Sequence, residues 1–218
     1  MKDKGRVYYV CSYGGCGSKM LTNFLKSYGR AFHIHSRKPP EKLTFIRETV
    51  HTGELEWFDY EKEIPENLLP NYYVIFLYCK PVFSLMSSYA WGPIHFSNIE
   101  IDANSDLNEM SRPDYLKRGV DSIKYIDFFN NYIFNTSERN YNLIAVNYHH
   151  LWDNIDKLFF LLDIELSEKS TFPVRSTPSL EKIKACKKYS MYKDLDVIID
   201  SLEPVFIIPK SKKCNLID

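Results

Sequence analysis

Near its start the chain carries a strand, a glycine loop and a helix in immediate succession. Val7 to Ser12 is an unbroken apolar and aromatic run, the pattern of a strand covered on both faces in a parallel sheet. Gly14-Gly15-Cys16-Gly17 follows directly, and then Leu21, Phe24, Leu25 and Tyr28 recur at helical spacing up to Gly29, where a helix stops. Such a unit opens an α/β sheet.

The rest of the chain continues the alternation. Ala31 to His35 reads as a short second strand, and Tyr72 to Tyr78 as a strand too aromatic and β-branched for a helix. Pro81 breaks it, and Val82 to Trp91 runs on as a helix. Residues 92–112 are polar and predict a loop or lid. From Ser111 onward, Leu116, Val120, Ile123, Ile126, Phe129 and Ile133 predict one long amphipathic helix. Leu143 to Asn147 predicts another buried strand, and Asp153 opens a helix with Ile155, Leu158, Phe159 and Leu162 on one face. The expected fold is an α/β, doubly wound parallel sheet flanked by helices, in a single domain over 1–218. Ligands bind such sheets beyond the carboxyl ends of the strands, which selects Ser12 to Lys19, His35 to Lys38 and Cys79 to Ser88.

Composition removes several classes of function. Lys plus Arg equals Asp plus Glu at 28 each, so bulk charge asks for neither nucleic acid nor an anionic membrane, and any anion site is local. The five cysteines are an odd set without C-x-x-C spacing, which fits neither a zinc ribbon nor a closed disulfide framework. A reduced, cytoplasmic setting is expected. The apolar run at the N-terminus is short and contains tyrosines, which predicts a soluble, unprocessed chain without an integral membrane segment. Oligomeric state is not legible.

Three groups of residues carry chemistry. In SYGGCGSKM the glycines let successive N–H groups point into one concavity, and the following helix adds its positive end, so the loop suits a phosphate. Ser18 and Lys19 add a hydroxyl and a charge, but Tyr13 and Met20 break a strict Walker A pattern. In VIFLYCKPVFSLMSSY, Lys80 supplies a charge at a strand end, and Ser87 or Ser88 a hydroxyl at helical distance. In HIHSRKPP, His33 and His35 share one strand face, with His35 nearer the carboxyl edge, where an imidazole can remove a proton from an acceptor hydroxyl. Arg37 and Lys38 stand ready for an anionic group, and Arg175, in a loop before Thr177-Pro178, is a further anion candidate.

With LIAVNYHHLWDNIDKLFFLLDIE added, the order of features over Val7 to Glu165 resembles the sulfotransferase family that uses 3′-phosphoadenosine-5′-phosphosulfate (PAPS). The resemblance implies a P-loop-like sulfotransferase architecture. It places Ser12, Gly14, Gly15, Cys16, Gly17, Ser18 and Lys19 at the 5′-phosphosulfate. The R-x-P-like turn and its serine fall on Cys79 with Ser87, or on Lys80 with Ser88, and both pairings stay open. The YE-x-L-like and FLG-like motifs fall on Tyr148-His149-His150-Leu151 and Phe160-Leu161-Leu162-Asp163. Gly15 stands where family members often carry a loop lysine, so Lys19 supplies the charge, and His149 stands for the glutamate. The implied activity is sulfonate transfer to a hydroxyl or amine of a small-molecule or glycan acceptor, without a metal and with the 3′,5′-bisphosphate (PAP) as product. Lys19 and His35 would be the catalytic residues, with Arg37 and Lys38 toward the acceptor. The alternatives are a P-loop kinase of nucleotides or small molecules, with Lys19 on the β- and γ-phosphates, and a non-catalytic nucleotide-binding module.

Overall fold

The computed structural model describes residues 5–34, 36–45, 62–88, 119–121, 123–135, 139–176, 184–185 and 191–210. His35, the side chain of Ser88, the 92–112 segment and Thr177-Pro178 lie outside the described residues.

β1 (Val7–Cys11), β3 (Tyr72–Tyr78) and β4 (Leu143–Asn147) are the continuous apolar runs of the sequence, and β1 and β4 are buried throughout. With β2 (Arg30–Ile34) and β5 (Val205–Ile208) they form one sheet in the order β2-β1-β3-β4-β5. The β1–β2, β1–β3 and β3–β4 pairs are parallel, with Val10 opposite both His33 and Ile75. Side-chain alternation splits the sheet into two apolar faces. On one, Tyr9, Cys11, Phe76, Tyr78 and Ala145 pack against Tyr125, Phe128, Phe129 and Tyr132 of α3 (Tyr125–Ile133) and Leu195 and Ile199 of α5 (Lys193–Ser201). On the other, Tyr8, Val10, Ile75, Leu77 and Val146 pack against Leu21, Phe24 and Leu25 of α1 (Ser18–Leu25) and Ile155, Leu158 and Phe159 of α4 (Ile155–Leu161). Helices on both faces make the fold α/β. α2 (Pro81–Ser88) sits at the carboxyl edge and is buried from Pro81 to Ser87.

Two expectations are corrected. The sheet is not wholly parallel, because β5 pairs with β4 antiparallel. Its chain enters from the carboxyl edge, where the Asn147 N–H donates to the Pro204 carbonyl at 2.8 Å, so it must run back down the sheet. The entry leaves α5 close to the ligand edge. Of the long helix expected from Ser111, residues 111–118 lie outside the described residues, the described residues from 119 to 124 are not helical, and the helix that is described is α3. Lys124 takes φ 53° at its start, and the two carboxylate oxygens of Asp121 accept the N–H groups of Tyr125 (3.0 Å) and Ile126 (2.8 Å). A capped start overrides the apolar periodicity that continues upstream of it.

Candidate functional site

The sheet order fixes where a ligand belongs. β1 lies between β2 and β3, so the connections that leave it and return diverge to opposite sides, and the crevice opens beyond the carboxyl ends of β1 and β3. The glycine loop and the Cys79-Lys80-Pro81 turn follow those ends.

The loop is clamped from two sides. Gly14, Gly15 and Gly17 take φ of 111°, 69° and 81°, a region costly for residues with a Cβ. A Cβ at Gly15 would overlap the Ser84 carbonyl oxygen of α2 and come within 2.9 Å of Ser87 Cβ. One at Gly17 would stand 2.5 Å from the Tyr148 ring, at the end of β4. Ser84 is fully buried, and a buried hydroxyl needs a partner. Its Oγ donates to the Gly14 carbonyl at 2.6 Å. Cys16 Sγ donates to the Leu77 carbonyl at 3.2 Å, and the Tyr13 hydroxyl to the Ile123 carbonyl at 3.0 Å.

With the Gly14 and Gly17 carbonyls and the Cys16 and Tyr13 side chains tied down, the loop keeps its donors. Among the described residues, no acceptor takes the N–H groups of Gly14, Gly15, Cys16, Gly17 or Ser18, five in succession at the start of α1. Positive-φ glycines and a helix N-terminus are features that suit such a run to an anion. Ser18 is buried beside it and Lys19 is exposed. This donor set has N–H, hydroxyl and ammonium groups and no carboxylate, so it fits a phosphate or phosphosulfate.

The other sequence candidates fall around this loop in different states. Ser12 is fully buried with Oγ 3.4 Å from His33 Nε2, so His33 is the described histidine that reaches the loop. Arg37 donates to the Ile123 and Lys124 carbonyls at 2.9 and 3.3 Å and lies over the Tyr13 ring, while Lys38 is exposed. Ser87 Oγ donates to the Phe83 carbonyl at 3.1 Å. Arg175 is exposed, with its guanidinium 5.6 Å from the centre of the Trp152 ring. Lys80 donates its N–H to His149 Nε2 at 3.3 Å and its Nζ to Asp200 Oδ2 at 2.6 Å.

Burial, and then the nearby charges of Lys80, His150 and Arg175, lower the His149 pKa to about 4. The ring therefore stays neutral and accepts the Lys80 N–H. Burial, with Asp200 adding and Lys80 opposing, raises the Asp196 pKa to about 6.

Ser84, Asp196, Asp200 and the Tyr148–Gly17 contact were not singled out from the sequence. Asp196 and Asp200 are spaced to share a helix face, but only the antiparallel return of β5 brings that face to Lys80. Among the described residues, no group of three or more His, Cys, Asp or Glu is placed to hold a metal ion, and no helix is long and apolar enough to cross a membrane. No family model matches the chain, and neither a curated protein nor a solved structure matches it at the significance required.

Proposed function

We propose that this chain is a sulfotransferase-like enzyme that moves a sulfonate from PAPS to a hydroxyl or amine of a small-molecule or glycan acceptor. The observation that carries the reading is the run of five N–H groups from Gly14 to Ser18 that no acceptor takes among the described residues, fixed by α2 and Tyr148 at the switch point of the sheet. PAPS supplies an activated sulfonate on a leaving group that gains negative charge as the bond breaks. The loop N–H groups, Ser18 and Lys19 hold and neutralise the 5′ end, and donors fixed in advance stabilise developing charge without reorganisation. Lys80, with Ser87 or Ser88, meets the 3′-phosphate. Arg175 adds charge from the Trp152 side. Arg37 and Lys38 flank the acceptor, and His35 takes its proton. His33, which reaches Ser12, is the comparison histidine for that role.

One observation favours a second reading, a nucleotide-binding module without turnover: the strand-end cation is already paired with Asp200. A melting assay separates the readings, because a ligand selective for the folded state raises the Tm. PAP at a hundred times its Kd should raise it by roughly 5–10 °C, and ATP with magnesium should not. Transfer of labelled sulfonate from PAPS to an acceptor panel then distinguishes an enzyme from a module. Stabilisation by ATP with magnesium alone would turn the assignment toward a kinase.

A further inference from the structure

The turn after β3 holds a cation that is paired with one carboxylate and whose charge reaches a second. Asp196 and Asp200 lie one turn apart on α5 and share a face. Lys80 Nζ is bonded to Asp200 Oδ2 at 2.6 Å, with the two side chains 30% and 51% exposed. Asp196 Oδ1 is buried and has no hydrogen-bond partner among the described residues. The charges that reach Asp196 are Lys80 and Asp200. Those that reach His149, which accepts the Lys80 N–H, are Lys80, His150, Arg175 and Asp200.

One ammonium cannot neutralise two carboxylates and an arriving phosphate dianion. We propose that a phosphate monoester enters at Lys80 by exchange, drawing the ammonium from Asp200, while the abandoned carboxylate pair takes up one proton from solvent at Asp196. The inference rests on the preceding reading, because it supposes that Lys80 meets the 3′-phosphate of the nucleotide. The one bond that forms is an O–H at the Asp196 carboxylate, its proton given up by a buffer acid or hydronium, and the proton returns to solvent when the ligand leaves. Asp196 is suited to the part: burial already holds its pKa at about 6, and Lys80 is the charge that opposes a further rise. A phosphate on Lys80 cancels that opposition. Affinity for 3′-phosphorylated nucleotides therefore rises as pH falls, and ligands without a 3′-phosphate do not share the effect.

Calorimetry on the full chain, in two buffers of different ionisation enthalpy, reads the proton directly. The probes are PAP and, as the control without a 3′-phosphate, adenosine 5′-phosphosulfate. Wild-type protein should take up more protons per PAP near pH 7 than Asp196→Asn, in which only the ligand's own phosphate titrates. Relative to that variant, its PAP affinity should fall with rising pH above 6 by up to about tenfold per pH unit, the limit for one linked proton. Asp200→Asn removes the competitor for Lys80 and should tighten PAP by up to about fivefold, the ceiling for a partly exposed ion pair. The control ligand should bind wild type and both variants alike. If PAP binds with equal proton uptake and parallel pH profiles in all three proteins, the exchange is wrong and the nucleotide reading survives. If neither ligand binds, the nucleotide reading falls and takes this inference with it.

Discussion

Replacing Gly15 by alanine tests the clamped loop, and the structure sets the size of the effect. At φ 69° an alanine costs about 1–2 kcal/mol from backbone conformation alone. Its Cβ would also overlap the Ser84 carbonyl oxygen, a backbone atom that no rotamer change can move aside. Overpacking of that kind adds about 1–3 kcal/mol. Gly5 provides the internal control, since it has nearly the same φ, 67°, with nothing within 4 Å of an added Cβ. Gly5→Ala should thus lose only the conformational part, while Gly15→Ala should lose about 2–5 kcal/mol in total. Urea denaturation of the two variants beside wild type measures the difference, and the same samples show whether Gly15→Ala has lost PAP binding. Ser84→Ala should not rescue Gly15→Ala, because the obstruction is the carbonyl and not the hydroxyl. A Gly15→Ala protein no less stable than Gly5→Ala would refute the contact between the loop and α2.

Four further outcomes are expected. Lys19→Ala should weaken PAP by about 1.5–3 kcal/mol, the scale of a hydrogen bond to a charged group, with Tm changed little, since interactions of an exposed lysine are worth under about 1 kcal/mol; calorimetry and a melting curve check both halves. Lys80→Ala should weaken PAP much more than adenosine 5′-phosphosulfate, and Ser87→Ala and Ser88→Ala in the same titration identify which serine assists. His35→Asn should lower turnover by about 100- to 10,000-fold with PAP affinity kept, whereas His33→Asn should not, as steady-state rates across pH will show. The His149 contribution to stability is fully present above pH 6.5 and is lost as pH falls toward about 4; that of Asp196 has the opposite sign, present below pH 3.8 and lost as pH rises through about 6. Urea melts from pH 4 to 7 should therefore show acid loss steepened in Asp196→Asn and reduced in His149→Gln relative to wild type.

What was legible in the sequence follows from what leaves a local trace. Val7–Cys11, Tyr72–Tyr78 and Leu143–Asn147 announce themselves because strands buried on both faces need uninterrupted apolar side chains. The loop is legible because left-handed backbone at Gly14, Gly15 and Gly17 demands a residue without a Cβ. The start of α3 was hidden, since the carboxylate of Asp121 ends the upstream chain inside a stretch whose apolar spacing never falters. β5 is four residues long, and its direction depends on where α5 delivers the chain, which periodicity does not encode. The Lys80–Asp200 pair joins residues 120 apart, so neither half signals the other. Ser84 leaves no trace in the sequence, because a buried helix serine and a solvated one read alike; its burial requires an acceptor, and the Gly14 carbonyl is that acceptor.

The central claim is that the backbone from Gly14 to Ser18 holds the 5′ end of a phosphorylated nucleotide. Titrating PAP into ¹⁵N-labelled protein and following the amide resonances of those five residues tests it most directly. The account predicts that all five shift together, saturate at one equivalent with a single Kd, and move downfield as their N–H groups gain an anionic acceptor. Amides that stay in place while PAP binds elsewhere, or that do not respond at saturating PAP, would contradict it.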